Sequence, residues 1–275
     1  MRLLGNPVLV REMEVRAGRD EGYRLFNYCG PGLYLLLLES PPVAAIILGD
    51  LFASMQRHGS ANLILPSVPF LVTAWLQVIY FSHAAARFTA GSVAVERERG
   101  TLDAMRLLPR SVEEVFAGKY WAAIAPLLVE ALVAIPLLGL YCVAGAVHFS
   151  TVLACGILNV FLILFFGLWG MHWSVRCREV HSALSRSFAT VLGFNVMPLI
   201  ASFVVLFFLG PIGDARVGAI FSISPLYLVG GMTVPVAWNE PLWHLSPTEV
   251  ALVLLTMALI SLRLYRNGLR RLGGR

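Results

Sequence analysis

Apolar runs recur along the chain at about 31–54, 66–88, 117–143, 150–175, 187–210 and 247–265. Each is near the roughly 20 residues that a membrane-spanning helix needs. Between the second and third runs lies the most charged stretch, Glu96-Arg97-Glu98-Arg99-Gly100-Thr101-Leu102, which continues through Pro109 and Ser111 to Gly118-Lys119. This alternation predicts an all-α integral membrane protein with a polar loop, 89–116, held between two spans. A further apolar piece, 217–236, is broken by Pro225, Gly230-Gly231 and Pro235. It reads as a re-entrant or surface pair of short helices before the sixth span. The first run carries Glu39 and Pro41-Pro42, which predict a kink.

The loop has its own local signals. Gly100 lets the backbone leave the descending helix. Thr101 is a candidate cap for a new short helix with Asp103 in its first turn. That helix carries Leu102, Met105 and Leu108 along one side, and Pro109 closes it. Ser111-Val112-Glu113-Glu114 then has the form of a capping box at the start of the third span. At the other end of the chain, Asn6-Pro7 marks a helix start. Leu9, Val10, Met13 and Ala17 fall on one side of that helix, opposite Arg11, Glu12, Glu14 and Arg16. The pattern predicts an interfacial amphipathic helix within residues 1–30, ahead of the first span; a soluble helical tail is the alternative.

Charge sets the orientation. With six spans, all of the 21 Lys and Arg except Arg57 and Arg216 fall on one side of the membrane. The positive-inside rule makes that side the cytoplasm, with both termini there. A seventh span at 217–236 would put the Arg-rich C-terminus outside. At 58% hydrophobic and 13% charged, the 275 residues need no soluble core, and one membrane domain accounts for them. The net charge of +5 reflects cytoplasmic anchoring and does not point to nucleic acid. No cleavable signal is expected at the start, since no adequate apolar stretch precedes Arg11 and Glu12. Cys29, Cys142, Cys155 and Cys177 are scattered without metal-ligand spacing. His172 and His181, nine apart, make no metal pair.

The loop Glu96-x-Glu98-x-Gly100-Thr101-Leu102-Asp103, followed by Leu107-Leu108-Pro109-x-Ser111, Glu114 and Gly118-Lys119, resembles the cytoplasmic loop of type-2 ATP-binding-cassette (ABC) exporter permeases. Asn6-Pro7-Val8-Leu9-Val10-Arg11-Glu12 is similar to the opening interfacial helix of such permeases, and the resemblance in layout covers the whole chain. Asp103 stands where Glu is commoner in that family, and Glu39 with Pro41-Pro42 belongs to no family pattern. The resemblance implies a permease subunit in the plasma (inner) membrane, working as a homo- or heterodimer docked on separate ATPase subunits. ATP and Mg would be bound by those partners and no cofactor by this chain, which has no GxxxxGK[ST] loop. It further implies that the helix at 101–108 is a coupling helix. Leu102, Met105 and Leu108 would enter a cleft on the ATPase, with Glu96, Arg97, Glu98 and Arg99 at its rim. The second and fifth spans would line the path between protomers.

Within the spans, Gln77, His83, Glu130 and Asn195 are candidate path residues. Glu130, deep in the third span, is a functional candidate by default. The bland reading is a protonated carboxyl hydrogen-bonded to a neighbouring helix, with Asn159 or Asn195 as candidate partners. His83 has a bland alternative as an interhelical hydrogen-bond partner, and Lys119-Tyr120-Trp121 reads as an interface anchor. Two other classes compete with a transporter. An intramembrane hydrolase would use Glu113-Glu114 or Glu130, but there is no HExxH and the capping box already explains Glu114. A structural membrane anchor of a complex is the other. The Phe-rich fifth span (Phe188, Phe194, Phe203, Phe207, Phe208) suits a lipid or amphipathic substrate if it faces the path, and lipid contact if it does not.

Overall fold

The computed structural model describes residues 6–18, 67–102, 111–143, 147–209, 224–226, 228–229 and 247–272. Among them lie six helices and no strand: α1 (Pro7–Gly18), α2 (Ser67–Glu98), α3 (Val112–Val143), α4 (Phe149–Arg176), α5 (Val180–Leu209) and α6 (Pro247–Leu272). The expected first span and Glu39, most of the coupling helix with Met105 and Leu108, and most of 217–236 lie outside the described residues.

Among the described residues, three helices are long and apolar enough to cross a membrane: α3, α4 and the stretch Ala251–Leu272 of α6. Their outward faces fit such a solvent. Val129 and Leu132 on α3, Ile157 on α4, and Leu252, Leu255 and Leu259 on α6 are each more than half exposed, where a water-soluble bundle would turn polar side chains outward.

α4 is the centre of the bundle and touches α2, α3, α5 and α6. Its contact with α2 is the most extensive among the described helices, and small residues make it possible. A Cβ added at Gly170 would lie 2.1 Å from Thr89 Oγ1 and 2.3 Å from the Ala86 carbonyl oxygen. Only glycine therefore lets the two backbones approach so closely. Ser174, one turn on, accepts the N–H groups of Val93 and Ala94 at 2.8 and 3.0 Å. The Thr89 hydroxyl donates back to the Ala85 carbonyl at 2.8 Å. Elsewhere Phe81, Phe116, Ile124, Leu127, Leu162, Phe165 and Phe166 fill the core at 1% exposure or less. α3 runs unbroken through Pro126 and Pro136.

Element limits differ from the pattern in one instructive place. α2 continues about ten residues past the apolar run, to Glu98, so the first part of the expected loop is helix. The exit comes at Gly100, whose φ of 69° is the left-handed conformation that ends helices. At the start of α3 the N–H of Glu114 donates to Ser111 Oγ at 3.2 Å, one half of the expected capping box. Asn6 caps α1 as expected, its Oδ1 accepting the N–H of Val8 at 3.0 Å.

Candidate functional site

Five helix ends converge where the charged stretch leaves α2. The charges do not fan outward; they reach across to neighbouring helices. Lys119, one-third of a turn past Gly118 on α3, is 2% exposed. Its Nζ lies 2.5 Å from Glu12 of α1 and 3.5 Å from Glu96 of α2. An ammonium so dry needs such partners, since an unpaired charge at that burial would not be tolerated. The two carboxylates keep more water, at 24% and 27% side-chain exposure. Glu96 also accepts the Thr101 hydroxyl. Partial burial works against ionisation of Glu96, but the Thr101 hydrogen bond, Lys119 and Arg99 outweigh it and hold the carboxyl below its usual range.

The next two residues complete the staple. Arg97 donates to the carbonyls of Val175, at 2.9 Å, and of Cys177, closing the C-terminus of α4. Glu98 accepts the N–H of Val180 at 2.8 Å, satisfying the N-terminus of α5. α1 is seated on the same corner. Asn6 Nδ2 donates to the Glu114 carbonyl at 2.9 Å, and Gly118 lies so close to Val8 that an added Cβ would sit 3.0 Å from it.

Against the sequence expectations, several side chains turn the other way. Leu102 was expected on a docking face; it is 8% exposed and packs into this chain's own core. Glu96, Arg97 and Glu98 are expected at a partner's rim; each is engaged within the chain, while Glu98 and Arg99 are exposed. The Thr101 hydroxyl reaches back to Glu96 of the preceding helix. Lys119 is a buried hub and no interface anchor. On α1, Val10 and Met13 are exposed as an outward apolar stripe requires, while Glu12 turns inward to Lys119. No spacing rule links residue 12 with residue 119, so only the packed structure reveals that pair.

The candidate path residues are not gathered in one place. Gln77 is buried and its Oε1 accepts Asn159 Nδ2 at 2.9 Å. Glu130 takes neither expected asparagine as partner; its Oε2 accepts the Tyr80 hydroxyl at 2.9 Å. The reason is register, since α2 places Tyr80 one turn beyond Gln77, against α3, while Gln77 meets α4. His83 is half-buried with its ring 5.2 Å from that of Phe188, edge to face. Asn195 Nδ2 donates to the Val191 carbonyl one turn back at 2.9 Å, and the backbone carbonyl of Asn195 accepts the Ser224 hydroxyl at 2.9 Å. An open, mostly apolar hollow of 340 Å³ on α5 is lined by Thr190, Gly193, Phe194 and Pro198, none of them among those four. The two Phe residues whose side chains are described divide: Phe188 is exposed, whereas Phe194 packs against Phe165 and Phe166.

No cluster of three His, Cys, Asp or Glu suited to a metal occurs among the described residues. Compared with known proteins, the chain matches no family model and no curated relative.

Proposed function

We propose that this chain is the membrane-spanning permease subunit of an ATP-driven exporter of the type-2 ABC kind. It works as a dimer and is driven by separate ATPase subunits that bind ATP and Mg. Six spans with both ends cytoplasmic, in a plasma (inner) membrane, complete the proposal, with 217–236 as a re-entrant segment. The short buried pieces around Pro225 and Leu228 favour that last point, because Ser224 and Leu226 hydrogen-bond to α5 and α2.

The observation that carries the reading is the staple around 96–119. The stretch that resembles a coupling loop leaves the bundle from a corner at which α1, α2, α3, α4 and α5 are joined by side chains. A push delivered to that stretch would be shared among the helix ends and would not be lost in a slack turn. Such a push shifts the spans only if the partner contacts the loop differently with and without ATP. Because Leu102 is committed to the core, docking is left to the remainder of the 96–109 loop, at whose start Arg99 is exposed.

The test is affinity purification of the tagged chain in mild detergent, with Met105→Asp as the variant. A P-loop ATPase that accompanies the wild type and is lost from a still monodisperse variant supports the reading. ATP hydrolysis by the purified chain alone, or a folded wild-type chain that brings no ATPase, would sink it.

A further inference from the structure

The C-terminal end of α4 carries a second basic cluster that the coupling corner does not use. Arg176 of α4 and Arg186 of α5 both lie over the indole of Trp173, at 5.8 and 5.5 Å from its centroid. The ring is held in place, its Nε1–H donating to Thr190 Oγ1 at 3.0 Å, and Thr190 in turn donating to the Arg186 carbonyl at 2.8 Å. Two guanidiniums are thereby brought within about 11 Å of each other on one aromatic platform. Arg178 stands in the turn between the helices.

Local structure does not account for this gathering of like charge. The carbonyls at the end of α4 are already taken by Arg97. Arg186 sits in the second turn of α5, the end of a helix at which a cation gains nothing from the dipole. Glu98 and Glu179 are the nearby acids in sequence and fold, yet Glu98 binds the Val180 N–H and Glu179 the Ser182 hydroxyl. Among the described residues, none of Arg176, Arg178 and Arg186 forms an ion pair. A separate observation points to a ligand. His172 is 92% buried beside Trp173, with ring centroids 5.5 Å apart, and its Nδ1 has no hydrogen-bond partner among the described residues.

We propose that Arg176 and Arg186, arranged around Trp173 beside His172, form a binding site for a phosphate monoanion or diester, supplied by the headgroup of an anionic phospholipid. The placement argues for the lipid as the source. α4 is apolar enough to cross a membrane and ends at Arg176, so the arginines stand at the depth of the headgroups, beside exposed Phe188 and Leu192 that suit an acyl chain. Guanidinium forks and an indole at a membrane boundary are the chemistry that recognises such a headgroup. The inference needs α4 to cross a membrane and does not depend on the exporter reading.

The experiment uses the full chain, delipidated in a neutral detergent, and follows its thermal unfolding during titration with phosphatidylglycerol. Phosphatidylcholine of the same acyl chains and inorganic phosphate are the parallel probes. The expected result is saturable stabilisation by phosphatidylglycerol alone. Arg176→Gln with Arg186→Gln should raise the half-saturating concentration by more than about tenfold, whereas the charge-matched pair Arg263→Gln and Arg266→Gln should leave it within about twofold. Equal loss in the two double variants would mean diffuse attraction to charge and would overturn the site. Equal stabilisation by inorganic phosphate would overturn the lipid source, and equal stabilisation by phosphatidylcholine would overturn phosphate recognition altogether. Native mass spectrometry of the wild type released from mixed-lipid nanodiscs guards against a variant that fails to fold. Retention of phosphatidylglycerol over phosphatidylcholine supports the site, and equal retention refutes it.

Discussion

The corner around Lys119 and the mid-bundle pairs of α2 solve the same problem, polar groups removed from water, in opposite ways. At the corner, full charges reach between helices: Glu12, Lys119 and Glu96 join α1, α3 and α2. Roughly 28 Å further along α2, counted from Glu96 to Gln77, the pairs are side-chain hydrogen bonds. Asn159 donates to Gln77 and Tyr80 to Glu130, and Thr73 is 2.8 Å from the Tyr141 hydroxyl. The difference follows from the solvent each region meets. At the corner the carboxylates retain water while the ammonium is dry, so the charges need only one another and the helix ends. Between apolar helices no water is at hand, and the few polar side chains must satisfy one another. The corner therefore fixes which helix ends move together, whereas the mid-bundle pairs fix register.

The largest test of that contrast is Lys119→Met. It leaves Glu12 and Glu96 facing each other without their shared cation, and thermal unfolding in detergent should show a loss of about 3–5 kcal/mol. Glu12→Gln should cost clearly less, because Glu96 still holds the ammonium; equal losses would mean that the two carboxylates do not share it. Gly170→Ala probes the close contact by which α4 holds α2 in position. The new methyl meets the Ala86 carbonyl and Thr89, and a loss of about 1–3 kcal/mol is expected. An unchanged melting temperature would show that the two backbones part without cost.

An effect of the same size belongs to the mid-bundle. Gln77→Leu strands the Asn159 amide and should destabilise by about 1–3 kcal/mol. Adding Asn159→Leu should restore part of the loss, with a coupling of about 0.6–1.7 kcal/mol in the double-mutant cycle. Strict additivity would refute the pair. The smallest is a pH effect at the corner. The Glu96 carboxyl is held below its ordinary value, so its folded-state pKa is depressed. The stability it contributes is present above the unfolded pKa and is lost as pH falls through the folded one. Glu96→Gln should therefore flatten the acid side of the stability profile and leave the difference between neutral and mildly alkaline pH unchanged. A change confined to alkaline pH would contradict the assignment.

Much of the helical layout was legible in the chain. α3, α4 and α6 match the apolar runs because a membrane-spanning helix announces itself by length and apolarity alone. The glycine exit at Gly100, the Asn6 cap and the Ser111 bond to Glu114 were legible too, each being a backbone need met by a residue a few positions away. α2 overran its expected limit because Glu96, Arg97 and Glu98 look like loop when counted as charges, yet as helix they reach α3, α4 and α5. Leu102 was placed on the docking side by its spacing to Met105 and Leu108, and spacing cannot tell an inward leucine from an outward one.

Short-range physics thus resides in the order of residues: the period of apolar positions, the caps, and the glycine that tolerates a left-handed turn. The partners of Lys119, Glu130 and Arg97 lie 107, 50 and 78 residues away. They were settled by how closely α2 and α4 pack through Gly170, and by how α1 seats against Gly118. A rotation of one helix by a single residue swings a side chain by about 100°, enough to give Glu130 another partner. Which charge meets which is decided only when the helices are packed together.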